Sequence, residues 1–170
     1  MLNFRSHRIA VFACSLTIAL LVTGLHSEDQ DLPKLNRMVL KFAEVHLGKQ
    51  VGDGECWTLA AEALADAGAQ QPGIDDIPVY EFGDKLKAGE TIFPGDVVQF
   101  EKVKFIRKTK KGTIEQTMPQ HTAIVAKVEE KKITLLHQNF AGKLTVETAT
   151  IHLDDRKEGT IEFYRPKLKK

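Results

Sequence analysis

Residues 28–170 predict an α+β domain, with N-terminal helices packed on a mainly antiparallel sheet of about six strands. Two observations carry this expectation. A helical period early in the chain gives way to a strand period after Pro94, and the helical segments come before the strands instead of alternating with them. The chain has 170 residues, 42% hydrophobic and 28% charged, with 7% aromatics. That is an ordinary globular composition, and no repeat or low-complexity tract interrupts it.

The first helix is expected over 35–47, where Leu35, Val39, Phe42 and Val45/His46 share one stripe and Gly48 ends it. Gly52-Asp53-Gly54-Glu55 is turn material. A second helix over 56–67 is dense in Ala and Leu, closes at Gly68, and carries Cys56 in its first turn. Residues 68–78, rich in Gln, Pro, Gly and Asp, read as an exposed loop. Val97-Val98-Gln99-Phe100 opens a hairpin that runs through charged residues to Arg107, turns at Lys110-Lys111-Gly112 and returns over 113–117. Met118-Pro119-Gln120 reads as a further turn, followed by strands over 121–128, 133–139, 144–151 and 161–164.

Ahead of the domain, Arg5 and Arg8 precede an uncharged apolar run over 9–22 that ends near small residues. This layout predicts a signal peptide over 1–27, cleaved near Gly24 or Ser27, and a secreted or periplasmic protein with no stable membrane span after cleavage. Cleavage leaves 22 basic against 23 acidic residues. Such a balance argues against a nucleic-acid partner. The run Lys102, Lys104, Arg107, Lys108, Lys110 and Lys111, diluted by Glu101 and Glu115, reads as the charged protection of an edge hairpin.

Cys14 belongs to the discarded segment, so Cys56 is the one thiol left and has no disulfide partner. At a helix start, unpaired N–H groups and the positive dipole end favour thiolate, which makes Cys56 a candidate nucleophile, with Trp57 beside it to line a cleft. A thiol nucleophile needs a base that titrates near neutrality. His121, His137 and His152 are the candidates. His121 is placed at a sheet rim that a helix N-terminus can reach, His46 reads as helix surface, and His152 as a solvated loop residue. The base must in turn be oriented by a third group, and His137-Gln138-Asn139 offers three. Strand alternation puts His137 and Asn139 on one face and Gln138 on the other. One hairpin register brings His121 to the His137/Asn139 side, whereas a two-residue loop at Glu130-Lys131 selects Gln138. Both registers are compatible with the sequence.

Taken in order, Gly54-Glu55-Cys56-Trp57, Pro94-Gly95-Asp96-Val97-Val98, His121-Thr122-Ala123-Ile124-Val125 and Leu136-His137-Gln138-Asn139-Phe140 resemble the CHAP and NlpC/P60 cell-wall hydrolases of the papain-like superfamily, over about residues 35–164. The chain is also similar to the cysteine-proteinase-fold domain of fungal actin-patch-associated proteins. The resemblance implies a papain-like fold with Cys56 as nucleophile, His121 as general base, and His137 or Asn139 as the orienting residue. CHAP members often carry an acidic residue where this chain has His137. NlpC/P60 members commonly use histidine in the third role, and papain-like proteases asparagine. Gln50, six residues before Cys56, matches an oxyanion-hole glutamine, and Trp57 matches the residue after the nucleophile. The implied activity is thiol acyl transfer on amide bonds of peptides or peptidoglycan, with no cofactor. No metal is expected either, since Asp75-Asp76 and Asp154-Asp155 lack the spacing of a calcium loop. The competing expectation is a non-catalytic module of the same fold that binds a peptide or glycan.

Overall fold

The computed structural model describes residues 32–169; the expected leader over 1–27 and its two cleavage positions lie outside the described residues. Two helices, α1 (Lys34–Val45) and α2 (Cys56–Asp66), are followed by β1 (Asp84–Lys85), β2 (Val97–Thr109), β3 (Gly112–Glu129), β4 (Lys132–His137), β5 (Glu147–His152) and β6 (Arg156–Arg165). The six strands form one sheet in the order β1-β6-β2-β3-β4-β5, and every ladder is antiparallel. No helix among the described residues is long and apolar enough to cross a membrane.

The buried residues of α1 are Asn36, Val39, Leu40 and Ala43, a stripe rotated from the expected one, and Val45 is exposed. Asn36 accounts for the rotation. Its amide donates to Asp96 Oδ1 at 2.7 Å and to the Pro94 carbonyl at 3.1 Å, so this polar side chain must face the sheet. Gly95 makes the approach possible: its φ is +84°, and a Cβ there would lie 2.0 Å from the Asn36 carbonyl oxygen.

Alternation along the strands divides the apolar residues between two faces. Val97, Ile124 and Leu136 pack with Val39, Leu59 and Leu64 under the helices. Val98, Phe100, Ala123, Val125, Leu135 and Ile151 form a second core on the other face, completed by Val103, Phe105 and Met118. Those last three come from the far half of the β2/β3 hairpin, which bends. At Lys102 (φ +51°) the β2/β6 ladder shifts register between Glu101 and Lys104, and Gly159 on β6 admits the Lys102 carbonyl, with a Cβ position 2.3 Å from that oxygen.

Opposite the bulge, the β2/β3 ladder steps from Glu101–Gln120 to Val103–Met118, passing over Pro119, which has no N–H to offer. The expected turn at Met118-Pro119-Gln120 is therefore a kink inside one continuous strand. Of the basic run, Lys102 and Lys104 lie where β6 flanks β2, whereas Arg107, Lys108, Lys110 and Lys111 lie on the end of the β2/β3 hairpin beyond the last β2/β6 pair, Phe105–Arg156. Lys102 pairs with Glu101 at 3.8 Å, and Lys104 with Glu115 and Arg107 with Asp155, each at 2.6 Å. His152 is also corrected. It ends β5 opposite Lys132 and is half-buried, not a free loop residue.

Candidate functional site

The loop before α2 is built to hold the helix start. Gly52 (φ +55°) and Gly54 (φ +87°) supply its left-handed turns, and Asp53 Oδ1 accepts the Glu55 amide at 3.0 Å and the Thr58 hydroxyl at 2.7 Å. These bonds hold the Asp53 carboxyl below its usual range, that of Thr58 foremost. Cys56 follows as the first helical residue and is half-buried. Its sulfur meets the amide and hydroxyl of Thr122 and the amide of Trp57.

The Thr122 amide is available for a structural reason. Val125 N–H donates to the Asp96 carbonyl on the β2 side, so by alternation the Thr122 amide faces β4, and the β3/β4 ladder ends at Ile124–Leu136. The sulfur thus sits at the seam where β3 and β4 part, one residue along from His121.

His121 and His137 are brought together: Nε2 of the first and Nδ1 of the second are 2.9 Å apart, with the rings edge to face at 5.1 Å between centroids. Phe140 packs edge-on to His121 at 5.6 Å, and Phe100 lies 6.4 Å away on the second core. Both imidazoles are buried. A β-bulge decides this pairing. From the turn, Glu129–Lys132, Val128–Ile133 and Lys127–Thr134 pair around a two-residue loop, the register that would select Gln138. The ladder then shifts between Val125 and Lys127, giving Val125–Leu135 and Ile124–Leu136, so His137 and Asn139 take the His121 side.

The remaining candidates serve other contacts. Asn139, at φ +54°, turns its amide to Glu55 Oε2 at 2.8 Å and does not hold the His121 ring. Gln50 covers Gly54, where a Cβ would lie 3.3 Å from its Cδ and Nε2, and donates to the Gly52 carbonyl at 3.2 Å. Trp57 is 37% exposed beside the thiol. Thr122 is a contact that the sequence reading missed, because its role depends on where β4 leaves β3.

Burial pushes the Cys56 thiol above its ordinary value. The amides of Thr122 and Trp57 and the Thr122 hydroxyl act against this, while the Glu55 carboxylate adds to it. The expectation of a favoured thiolate at the helix start is thereby reversed in the resting site. Burial, and then the neighbouring His137, lowers His121 to about 4. Burial likewise lowers His137, against the pull of Glu147 opposite it. At neutral pH the thiol is protonated and the two hydrogen-bonded imidazoles are uncharged. Among the described residues no group of three or more His, Cys, Asp or Glu side chains is placed to hold a metal ion.

A family profile described as the AIM3/BBC1 cysteine proteinase-fold domain matches residues 33–169. Among curated proteins, the chain is 23% identical over 147 residues to altered inheritance of mitochondria protein 3 of Debaryomyces hansenii, and 26% identical over 158 residues to SH3 domain-containing protein C23A1.17 of Schizosaccharomyces pombe. These alignments cover 78% and 81% of this chain but only 16% and 9% of the relatives' lengths. Among solved structures, Ly7917 is similar with a TM-score of 0.51 at 18% identity, over 79% of this chain and 63% of that one.

Proposed function

Because this chain belongs to the AIM3/BBC1 cysteine proteinase-fold domain family, we propose that it is an amide-bond hydrolase in which Cys56 is the nucleophile, His121 its base and His137 the group that orients the base. The single observation that carries the reading is the 2.9 Å bond between His121 and His137, with Thr122, the residue that follows His121, at the Cys56 sulfur. With the proton of His121 on Nε2 and donated to His137 Nδ1, the Nδ1 lone pair of His121 is left to accept the thiol proton. The thiolate attacks the amide carbonyl and an S–C bond forms. The oxyanion is met by the Cys56 N–H, one of the helix-start amides, and by the Gln50 carboxamide once it leaves the Gly52 carbonyl. The C–N bond breaks as His121 returns its proton to the departing amine, and water, deprotonated by the same ring, then hydrolyses the thioester.

The substrate class is a peptide, and the finer proposal is a cell-wall peptide met after export through the 1–27 leader. Mass analysis of chain recovered from culture medium tests the export step: a mature start at Leu25 or Glu28 is expected, and full-length protein held in the cell overturns it. For the chemistry, purified protein is incubated with peptidoglycan and with model peptides. Cleavage products are expected from the parent, reduced roughly 10²- to 10⁴-fold in H121A and absent in C56A. Identical product profiles for parent and C56A overturn the hydrolase. A second reading, a non-catalytic peptide-binding module, is favoured by the burial of Cys56 and the nearby negative charge of Glu55, which keep the sulfur protonated. Unchanged peptide binding by C56A, with iodoacetamide labelling of Cys56 indifferent to H121A, would support it.

A further inference from the structure

Gln138 lies between the two residues assigned to orient the base, yet its side chain points to the opposite face and is 1% exposed. Its carboxamide spends its bonding capacity on the loop that precedes Cys56. Oε1 accepts the Val51 amide at 3.1 Å, and Nε2 donates to the Val51 carbonyl at 2.9 Å and to the Glu55 carbonyl at 2.8 Å. Both ends of the 51–55 turn are thus tied to one side chain, and the second tie is on the residue directly before the thiol. Its neighbour His137 bonds His121 from the other face. A buried amide with all three bonds made within hydrogen-bond geometry is well defined in position, because any shift leaves polar atoms unpaired away from water.

From this we infer that Gln138 is a positioning residue for the thiol: the end of β4 holds the nucleophile loop through Gln138 and the base through His137, so one rigid dipeptide fixes both partners of the reaction. The inference rests on the hydrolase reading for its meaning, and on the three hydrogen bonds alone for its geometry. No charge is involved. Among the described residues, the only other side-chain bond between 51–55 and the end of β4 is the exposed Asn139–Glu55 bond, so the clamp is the main polar link between the turn and β4.

The test is a pair of cycles on full-length protein, read by iodoacetamide labelling of Cys56. In the parent background H121A is expected to slow labelling at least tenfold. In the Q138M background, which keeps the volume and removes all three bonds, that ratio is expected to fall to near one, since a displaced thiol no longer answers to the imidazole. A general gain in exposure would change both rates together and leave the ratio intact. A parental ratio retained in Q138M overturns the positioning role. If the ratio is near one in both backgrounds, the thiol–imidazole reading fails instead, and amide exchange decides the clamp: Val51 and Thr122 are expected to exchange at least tenfold faster in Q138M, and unchanged exchange overturns it. Q138E guards against loss of folding. Neutral at low pH, its carboxyl can still accept the Val51 amide and donate to one carbonyl; ionised, it faces two carbonyl oxygens. Its exchange is therefore expected near parental at pH 4 and accelerated at pH 8, and equal protection at both would also overturn the clamp.

Discussion

His121 exchanges water for the rings of Phe100 and Phe140 and a single bond to His137, and the uncharged imidazole is the form that tolerates this. Its pKa of about 4, set first by burial and then by His137, stands against roughly 6.5 for a histidine in the unfolded chain. Above pH 6.5 neither state binds the proton and the fold keeps its full stability. As the pH falls from there, the unfolded chain takes up a proton that the folded one refuses until about pH 4, so stability is lost across that window. The loss is roughly 3 kcal/mol for this group, and His137, lowered for the same reason, adds to it in the same direction. Urea unfolding of the parent and of H121N, which cannot titrate here, is expected to show the parent's lead shrinking by that amount between pH 7 and pH 4; a lead independent of pH would show that the ring is not held neutral. Cys56 and His121 could be singled out as candidates from short motifs, since those residue types are what thiol chemistry needs. The state of the thiol was not. A helix start argues for thiolate, and only tertiary packing reveals that burial outweighs it.

Elements were legible wherever a period ran uninterrupted. Both helices start within a residue of where caps and apolar spacing put them, and the β2/β3 turn falls at Lys110-Lys111. What escaped were the positions where one residue breaks a period. Pro119 reads locally as a turn, but the facing bulge at Lys102 absorbs its missing N–H and the strand runs on. The bulge between Val125 and Lys127 carries no composition signal, yet it decides which of His137 and Gln138 faces His121. The glycines make this sensitivity measurable. Gly48 (φ +77°) has nothing within 4 Å of an added Cβ, so G48A meets only backbone strain, about 1 kcal/mol. Gly95 (φ +84°) would set a Cβ 2.0 Å from the Asn36 carbonyl and force α1 off the sheet. G95A is expected to cost at least ~3 kcal/mol, the upper range for overpacking. Equal thermal midpoints for the two variants would contradict this account of how α1 is seated.

At the scale of the molecule, the sheet separates two cores, and α1 is fastened to it by polar contacts around one carboxylate in addition to the apolar packing under both helices. Asp96 is fully buried and accepts four N–H bonds: Asn36 Nδ2 of α1 at 2.7 Å, the Phe93 amide at 2.8 Å, and Arg165 of β6 through Nε at 3.1 Å and Nη2 at 2.9 Å. The same guanidinium bonds the Thr91 carbonyl at 2.6 Å and lies 4.4 Å over the Phe93 ring. The Pro94-Gly95-Asp96 block helped mark the resemblance to cysteine hydrolases, but here its carboxylate is architectural, joining the first helix to the last strand. A buried charge with this many donors cannot be removed without stranding them, and losing one partner of such a pair typically costs 3–5 kcal/mol. D96A is therefore expected to lose about 3–5 kcal/mol of unfolding free energy, with the amides of α1 becoming the first to exchange while those of β3 and β4 keep their order. A loss under about 1 kcal/mol, the worth of an exposed ion pair, would mean that apolar packing alone seats the helices and that the carboxylate is incidental to the fold.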